Sequence, residues 1–267
     1  MMRVLAVLVT LIWGTAPVRA DVLRLAVTTS FQNSGLADVL VPQAEADLAI
    51  DVQLLVVGTG QALRLGRSGD VDAILVHARA AEEAFVAEGH GTHRREIMYN
   101  DFVLVGPADD PAGVAGATTA PGALQAIAAA QVGFVSRGDD SGTHMREQSL
   151  WDMAGITPEG SWYKSVGAGM GAALNTASGL GGYILSDRAS WLNFGNKGGL
   201  VLLFAGDPML FNQYAFLPVS AARHPHVNAD AVARFEAWLT SDAARLLIDG
   251  YQVEGEQLFT FNAAPEG

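Results

Sequence analysis

The chain has 267 residues, of which 50% are hydrophobic and 8% aromatic, and it contains no cysteine. This apolar fraction is enough for a large packed core and argues against disorder, and burial must stabilise the fold without disulfides. The formal net charge of -12 argues against a nucleic acid partner, because the phosphate backbone favours basic surfaces.

The first twenty residues have the pattern of an export signal. Arg3 precedes the apolar run Val4 to Trp13, and Val18-Arg19-Ala20 resembles a cleavage site. We predict a signal peptide at residues 1–20 with cleavage after Ala20. The alternative is an uncleaved membrane anchor, but the apolar run is too short for a bilayer. The absence of a lipobox cysteine excludes lipid anchoring, so we expect a periplasmic protein.

Removal of Arg3 and Arg19 would leave 14 of the 16 basic residues against 28 acidic ones, a net charge near −14. This balance at first argues against an anionic ligand as well. However, an enclosed anion responds to neighbouring N–H groups and arginine more than to screened surface charge. We expect the acidic surface to favour solubility or docking to a partner.

Strand-like and helix-like segments alternate through the first part of the predicted mature chain. Short apolar runs predict strands, and amphipathic runs after a capping residue or glycine predict helices. In chain order these are strand 22–27, helix 35–48 with Ser34 as its cap, strand 50–57, helix 61–67, strand 73–76 and helix 79–87. The alternation predicts an α/β fold with a mostly parallel sheet, helices on both faces and right-handed crossovers.

Two long extended segments, 95–106 and 211–219, differ from the alternating elements, and Asn100-Asp101 interrupts the first of them. The other elements predicted from here on are helix 123–130, strand 132–135, helix 141–153, a helix to about 178, strands 183–185 and 200–204, and helices 230–239 and 241–248. Two crossings between two α/β halves predict a hinged clamshell. Lobe 1 would contain residues 21–101 and 212–267, and lobe 2 residues 102–211.

Three hydroxyl-rich turns follow predicted strands and precede helices. They are Thr28-Thr29-Ser30, Gly58-Thr59-Gly60 and Ser136–Thr143. Because ligands of such folds bind at the carboxyl ends of strands, we expect these turns to line one cleft. Helix capping explains the first turn and a tight turn explains the second almost as well. The glycine-rich Gly167–Gly171 is either a fourth donor loop or a flexible turn.

The segment from Ser136 to Thr143 is the most informative of the three. Arg137 supplies a permanent positive charge, and Ser141 and Thr143 supply hydroxyl donors. The helix that follows has unsatisfied N–H groups and a partial positive charge at its start. These features favour a small, multiply charged oxyanion as the ligand. The structural alternative is a surface salt bridge from Arg137 to Asp139 or Asp140.

Patterns typical of enzymes and metal sites are weak. Ser141, His144 and Asp140 have the residue types of a hydrolytic triad, but no G-x-S-x-G motif is present. Residues three apart on one helix do not easily adopt nucleophile–base geometry. The histidines lack the spacing of metal ligands, so no metal or cofactor is expected. An exported serine hydrolase and a regulatory or adhesive module without a small ligand remain the alternatives to a receptor.

Four segments together resemble the tungstate-binding proteins of bacterial ABC uptake systems, and the similarity extends over nearly all of the predicted mature chain. The segments are 56–63 (VVGTGQAL), 98–106 (MYNDFVLVG), 136–144 (SRGDDSGTH) and 206–214 (GDPMLFNQY). The resemblance implies a two-lobed periplasmic-binding-protein fold of type II. It also implies a monomeric receptor that closes on tungstate, sometimes molybdate, and delivers it to a membrane permease.

The same resemblance implies a set of ligand contacts. The positions that match the motifs are Thr29, Ser30, Thr59, Arg137, Ser141, Gly142 and Thr143. The family usually has three threonines before the serine of the first turn, and here Val27 replaces the first of them.

The chemistry of the predicted donors separates the candidate anions. A fully deprotonated tetrahedral dianion has only acceptor oxygens, which a pocket of donors satisfies. Phosphate keeps a proton near neutral pH and would need an acceptor, for which Asp139 and Asp140 are available. Sulfate carries no proton and could be excluded only by cavity size. Receptors for phosphate or sulfate are therefore the alternatives within the same fold.

Overall fold

The computed structural model describes residues 21–139 and 141–263. The predicted signal peptide, its cleavage after Ala20 and the predicted contacts of Asp140 lie outside the described residues. Within these ranges, no helix is both long enough and apolar enough to cross a membrane.

The strands and helices alternate over the described residues. The strands are β1 (Asp21–Thr28), β2 (Ile50–Val57), β3 (Ala73–Val76), β4 (Arg95–Pro107), β5 (Phe134–Ser136), β6 (Tyr163–Ser165), β7 (Tyr183–Asp187), β8 (Leu200–Phe204), β9 (Phe211–Pro218), β10 (Gln252–Val253), β11 (Glu256–Gln257) and β12 (Thr260–Phe261). The α-helices are α1 (Thr29–Asn33), α2 (Ala37–Leu48), α3 (Thr59–Ser68), α4 (Arg79–Ala87), α5 (Ala120–Ala130), α6 (Gly142–Met153), α7 (Met170–Leu180), α8 (Arg188–Asn193), α9 (Ala229–Leu239) and α10 (Asp242–Gly250).

The main sheet is mixed, with its strands in the order β2-β1-β3-β9-β4-β7-β5-β6. β1 runs parallel to β2 and β3, and β5 runs parallel to β6 and β7. β9 runs antiparallel to β3 and β4, and β4 runs antiparallel to β7. The predicted parallel arrangement is therefore correct for the outer strands and wrong at the centre. There, β4 and β9 carry the chain across the sheet in opposite directions.

β4 joins the two parts of the sheet without the interruption that Asn100-Asp101 suggested. Its residues up to Asp101 pair with β9, whereas Phe102 pairs with Asp187 of β7. The change of partner occurs because β4 is long enough to extend beyond β9. It coincides with the predicted lobe boundary at residue 102, although the division into lobes stays a prediction.

The first helix differs from its prediction. Ser34 was expected to cap one helix up to residue 48, but Thr28 caps the short α1 by accepting a hydrogen bond from Phe31 N. Ser34 ends α1, and α2 begins at Ala37 with no side-chain cap. The break arises at Gly35, whose φ of +82° is left-handed and interrupts a right-handed helix.

The core covers both faces of β1, which fixes the position of the turn that follows it. Leu25 and Val27 pack into one hydrophobic cluster, whereas Ala26 packs into another. Burial on both faces is typical of parallel strands inside α/β proteins. Each large apolar side chain buried in this way contributes about 1.5–3 kcal/mol. The carboxyl end of β1, with Thr28 as its last residue, is therefore rigidly held.

Candidate anion-binding site

A cavity of about 420 Å³ lies at the carboxyl ends of four strands. Its walls come from the turns after β1, β2 and β5, together with His77, the residue that follows β3. The seven residues predicted as ligand contacts all line it: Thr29, Ser30, Thr59, Arg137, Ser141, Gly142 and Thr143. The structure thus brings together three turns that are distant in the sequence.

Besides the short α1, two longer helices begin at the cavity wall. α3 follows Gly58, whose backbone is extended and which offers no side-chain cap, and α6 follows Ser141, whose hydroxyl accepts from His144 N at 3.3 Å. The first N–H groups of a helix have no partner within the helix, and the helix dipole makes this end partly positive. Thr59 and Thr143 lie in these first turns and are mostly buried. The cavity therefore has backbone and hydroxyl donors on two walls.

Arg137 lies in the wall of the cavity and is mostly buried. Its side chain is 16% exposed and pairs with Asp139, which is 18% exposed. Nε donates to Asp139 Oδ2 at 3.1 Å, and Nη1 lies 3.5 Å from Thr143 Oγ1. The salt bridge considered as an alternative role for Arg137 is thus present, but it is half-buried and forms part of the cavity wall.

The glycine-rich segment after β6 contacts the backbone of Arg137. Ala168 N donates to Arg137 O at 3.1 Å. Gly138 has φ +58° and packs so closely on Ser165 that a Cβ there would lie 1.7 Å from the serine oxygen. None of Gly167–Gly171 is among the residues that line the anion cavity. Of the two roles suggested for this segment, the geometry fits a supporting turn.

Asp139 places a negative charge beside the donors. Burial alone would raise the pKa of this carboxyl, but hydrogen bonds from Ser141 and Arg137 outweigh it and hold the pKa below its usual value. Asp139 is therefore ionised at neutral pH. Its Oδ1 also accepts from Ser141 N at 3.3 Å, so both oxygens already have donors.

His77 is one of the cavity residues that the sequence analysis missed. Its Nε2 lies 2.9 Å from Ser30 Oγ. Burial lowers the pKa of His77 to about 4, so the ring is uncharged at neutral pH. A usable signal was present, because His77 directly follows the fully buried β3, which makes it a carboxyl-end residue like the predicted ones.

Two further residues that the sequence analysis did not name also line the cavity. Gln61 and Arg64 line the cavity, and Arg64 donates to Gln61 Oε1 at 2.6 Å through Nη2.

Val27, which replaces a threonine usual in the resembling family, is fully buried in the core. Its side chain packs into the hydrophobic core and is not among the residues that line the cavity.

The same sequence features and fold occur in known proteins. The PBP superfamily domain matches residues 15–243. The tungstate-binding protein TupA of Peptoclostridium acidaminophilum is 46% identical over 244 residues, which cover 90% of this chain and 85% of that protein. The chain belongs to the tungstate-binding protein family of the PBP superfamily. The resemblance seen in the sequence is thereby confirmed.

Solved structures of this family share the architecture. The tungstate-binding protein TupA from Desulfovibrio alaskensis G20 has a TM-score of 0.86 and 45% identity over 92% of this chain and 100% of that chain. The tungstate ABC transporter structure from Geobacter sulfurreducens has a TM-score of 0.79 and 45% identity over 87% of this chain and 100% of that chain. The predicted α/β periplasmic-binding-protein fold of type II is therefore confirmed.

Proposed function

We propose that the protein is a receptor that binds tungstate in the cavity between β1 and α6 and delivers it to the permease of an ABC transporter. One observation carries this proposal: the hydroxyl-rich turns, two helix N-termini and Arg137 converge on one cavity. The 46% identity to a tungstate-binding protein supports the choice of anion. The family consists of solute-binding proteins, so the chain is a receptor rather than an enzyme.

The proposed ligand contacts are the seven residues named from the motifs. Tungstate is a dianion whose oxygens only accept hydrogen bonds, and these residues offer hydroxyls, backbone N–H groups and a guanidinium. Helix N-termini each contribute about 0.3–1 kcal/mol to binding a negative charge. The N–H groups are fixed by the helices, so little ordering is needed when the anion binds.

Phosphate is the second candidate, because Asp139 lines the cavity and could accept the proton that phosphate retains. Asp139 Oδ2 already accepts two hydrogen bonds from Arg137, and Oδ1 accepts one from Ser141 N, so one acceptor position on Oδ1 remains for a phosphate proton. The preference for tungstate over phosphate therefore rests on the 46% identity to a tungstate-binding protein, and sulfate can be excluded only by the size of the cavity.

We further propose a periplasmic location, a cleaved signal peptide at residues 1–20 and a monomeric receptor. The division into lobe 1 (residues 21–101 and 212–267) and lobe 2 (residues 102–211) belongs to the same proposal. It is supported by the change of strand partners at Phe102 and by the return of the chain through β9.

Isothermal titration calorimetry tests the proposal. Ligand-free protein is titrated with tungstate, molybdate, sulfate and phosphate in turn. We expect tungstate to bind more tightly than sulfate and phosphate, with one site per chain. Preferential binding of phosphate would replace tungstate by the second candidate. No binding of any oxyanion would contradict the receptor proposal and favour a module without a small ligand.

A further inference from the structure

Ser30 is surrounded by three polar side chains behind the cavity wall. Its Oγ lies 2.9 Å from His77 Nε2, 3.2 Å from Tyr214 Oη and 2.9 Å from Thr28 Oγ1. The rings of His77 and Tyr214 pack together with centroids 4.7 Å apart. A serine oxygen can accept two hydrogen bonds and donate one, so the direction of each contact decides what Ser30 can offer a ligand.

Tyr214 can act as a donor because its phenol keeps its proton. The side chain is fully buried. Burial raises the pKa of Tyr214, and this effect exceeds the opposing one of its hydrogen bond with Ser30. The neutral O–H group points its hydrogen at an acceptor, and Ser30 Oγ is within reach.

The surroundings of Nδ1, the second ring nitrogen, indicate which nitrogen of His77 carries the hydrogen. Nδ1 is buried and makes no hydrogen bond of good geometry among the described residues, although the Asn212 side chain is near enough to raise the pKa of the ring slightly against the larger effect of burial. A buried N–H without an acceptor is rarer and costlier than an unused lone pair. A hydrogen on Nε2 therefore fits these surroundings better than one on Nδ1, and in that tautomer Nε2 donates to Ser30 Oγ.

When His77 and Tyr214 both donate to Ser30 Oγ, the hydrogen of Ser30 itself remains to be donated. Two acceptors are available to it, Thr28 Oγ1 and an oxyanion in the cavity. A hydrogen bond to a charged acceptor is the stronger of the two. We propose that His77 is a positioning residue that, together with Tyr214, holds the Ser30 hydroxyl as a donor to the bound oxyanion. This inference rests on the proposed function of the cavity.

His77 is not placed to bind the anion itself. Nε2 is engaged by Ser30, and Nδ1 is inaccessible. Across the cavity the ring packs against α6, where a Cβ added to Gly142 would lie 2.7 Å from Cε1 of His77. Glycine at residue 142 therefore leaves room for the ring, and His77 contacts both the first turn and the start of α6.

The test is a double-mutant cycle on tungstate affinity measured by calorimetry. We expect His77→Leu to weaken binding about tenfold, because Ser30 loses the donor that orients it. His77→Gln places an amide N–H near the position of Nε2 and should restore most of the affinity. In a Ser30→Ala background, His77→Leu should change the affinity less than about twofold, since no hydroxyl remains to be oriented.

Two comparisons make the cycle decisive. In a Thr59→Val background, His77→Leu should keep its tenfold effect, because Thr59 is not part of this network. Tyr214→Phe removes only the phenol hydroxyl, so it tests the same coupling to Ser30 if His77→Leu fails to fold. The inference would be overturned if wild type, His77→Leu and Tyr214→Phe bound tungstate equally tightly. It would also be overturned if His77→Leu weakened binding tenfold in the Ser30→Ala background. Absence of tungstate binding by the wild type would instead contradict the proposed function.

Discussion

At the scale of single residues, Arg137 shows how the cavity keeps a charged donor in place. Asp139 accepts from Nε and Nη2 of the guanidinium, while Nη1 lies toward Thr143. The pair is largely excluded from solvent, and Ala168 holds the backbone of Arg137. The arginine is therefore oriented before an anion arrives, which lowers the entropy lost on binding.

We predict that Arg137→Ala weakens tungstate binding about 10- to 150-fold, because a hydrogen bond to a charged group contributes about 1.5–3 kcal/mol. Calorimetry on the purified variant measures this change. Arg245→Ala is the matched control, since Arg245 is 49% exposed and pairs with Asp242 on α10. An unchanged dissociation constant for Arg137→Ala would remove this residue from the site.

At the scale of elements, a buried ion pair attaches α4 to Arg94, the residue that precedes β4. Glu82 is fully buried and accepts from Arg94 Nε at 2.7 Å and from the backbone N of Ala78. Burial raises the pKa of Glu82, although its hydrogen bonds with Arg94 and Ala78 act against this. The buried Glu82 carboxylate needs the Arg94 guanidinium beside it, because an unpaired buried charge destabilises the folded state.

We predict that Arg94→Met lowers the free energy of unfolding by about 3–5 kcal/mol, since it leaves Glu82 buried without its partner. Urea denaturation followed by circular dichroism measures the loss. Arg79→Met is the control, because Arg79 is 68% exposed in its pair with Glu83 and such pairs contribute about 1 kcal/mol or less. Equal losses of unfolding free energy for Arg94→Met and Arg79→Met would show that the buried pair stabilises the fold no more than the exposed pair does.

Asp72 connects three elements near the amino end of β3. It accepts from Arg24 N at 2.7 Å, from Arg24 Nη2 at 2.9 Å and from Asn228 N at 2.9 Å. Burial would raise the pKa of Asp72, but hydrogen bonds from Arg24 and Asn228 outweigh it and lower the pKa. A carboxyl with a lowered pKa stabilises the fold above its unfolded pKa, and this contribution disappears as the pH falls through the folded value.

We predict that Asp72→Asn is less stable than wild type by about 1–3 kcal/mol at pH 7. The difference should shrink as the pH falls below about 4, the usual pKa of an unfolded aspartate, because the wild-type carboxylate then becomes protonated. Urea denaturation at several pH values follows both proteins. A difference that stayed constant down to pH 2 would contradict the proposed ionised role of Asp72.

At the scale of the whole molecule, the donors of the cavity come from both sides of the crossing strands. Thr29, Ser30 and Thr59 belong to the part of the chain before β4, whereas Arg137 and Thr143 belong to the part between β4 and β9. An anion held by both sets would draw the two sides together. We propose the crossing strands β4 and β9 as the site of this bending.

We predict that saturating tungstate reduces the radius of gyration measured by small-angle X-ray scattering. The reason is that donors on both sides must reach the same anion. Arg137→Ala, measured at a tungstate concentration that saturates only the wild type, serves as the control and should keep the larger radius. If wild type bound tungstate with unchanged scattering, hinged closure would be ruled out while the binding site itself would stand.

The sequence by itself determined the order of most elements and the chemistry of three turns. Strand, turn and helix signals act over a few residues, so β2, β3 and α4 have the predicted bounds. Arg137 and Thr143 were recognisable as anion donors because the chain places them just before and at the start of one helix. The same short-range logic failed at Gly35, where a left-handed residue divides a predicted helix in two.

Only the tertiary structure decided which buried side chains contact the donors of the cavity. His77 and Tyr214 reach Ser30 across 47 and 184 residues of chain, and no local pattern encodes such contacts. The central antiparallel strands were also undetermined, because the direction of a strand depends on where the chain returns. Local sequence specifies what each turn can donate, whereas packing across the sheet decides which donors meet and how their hydrogens are directed.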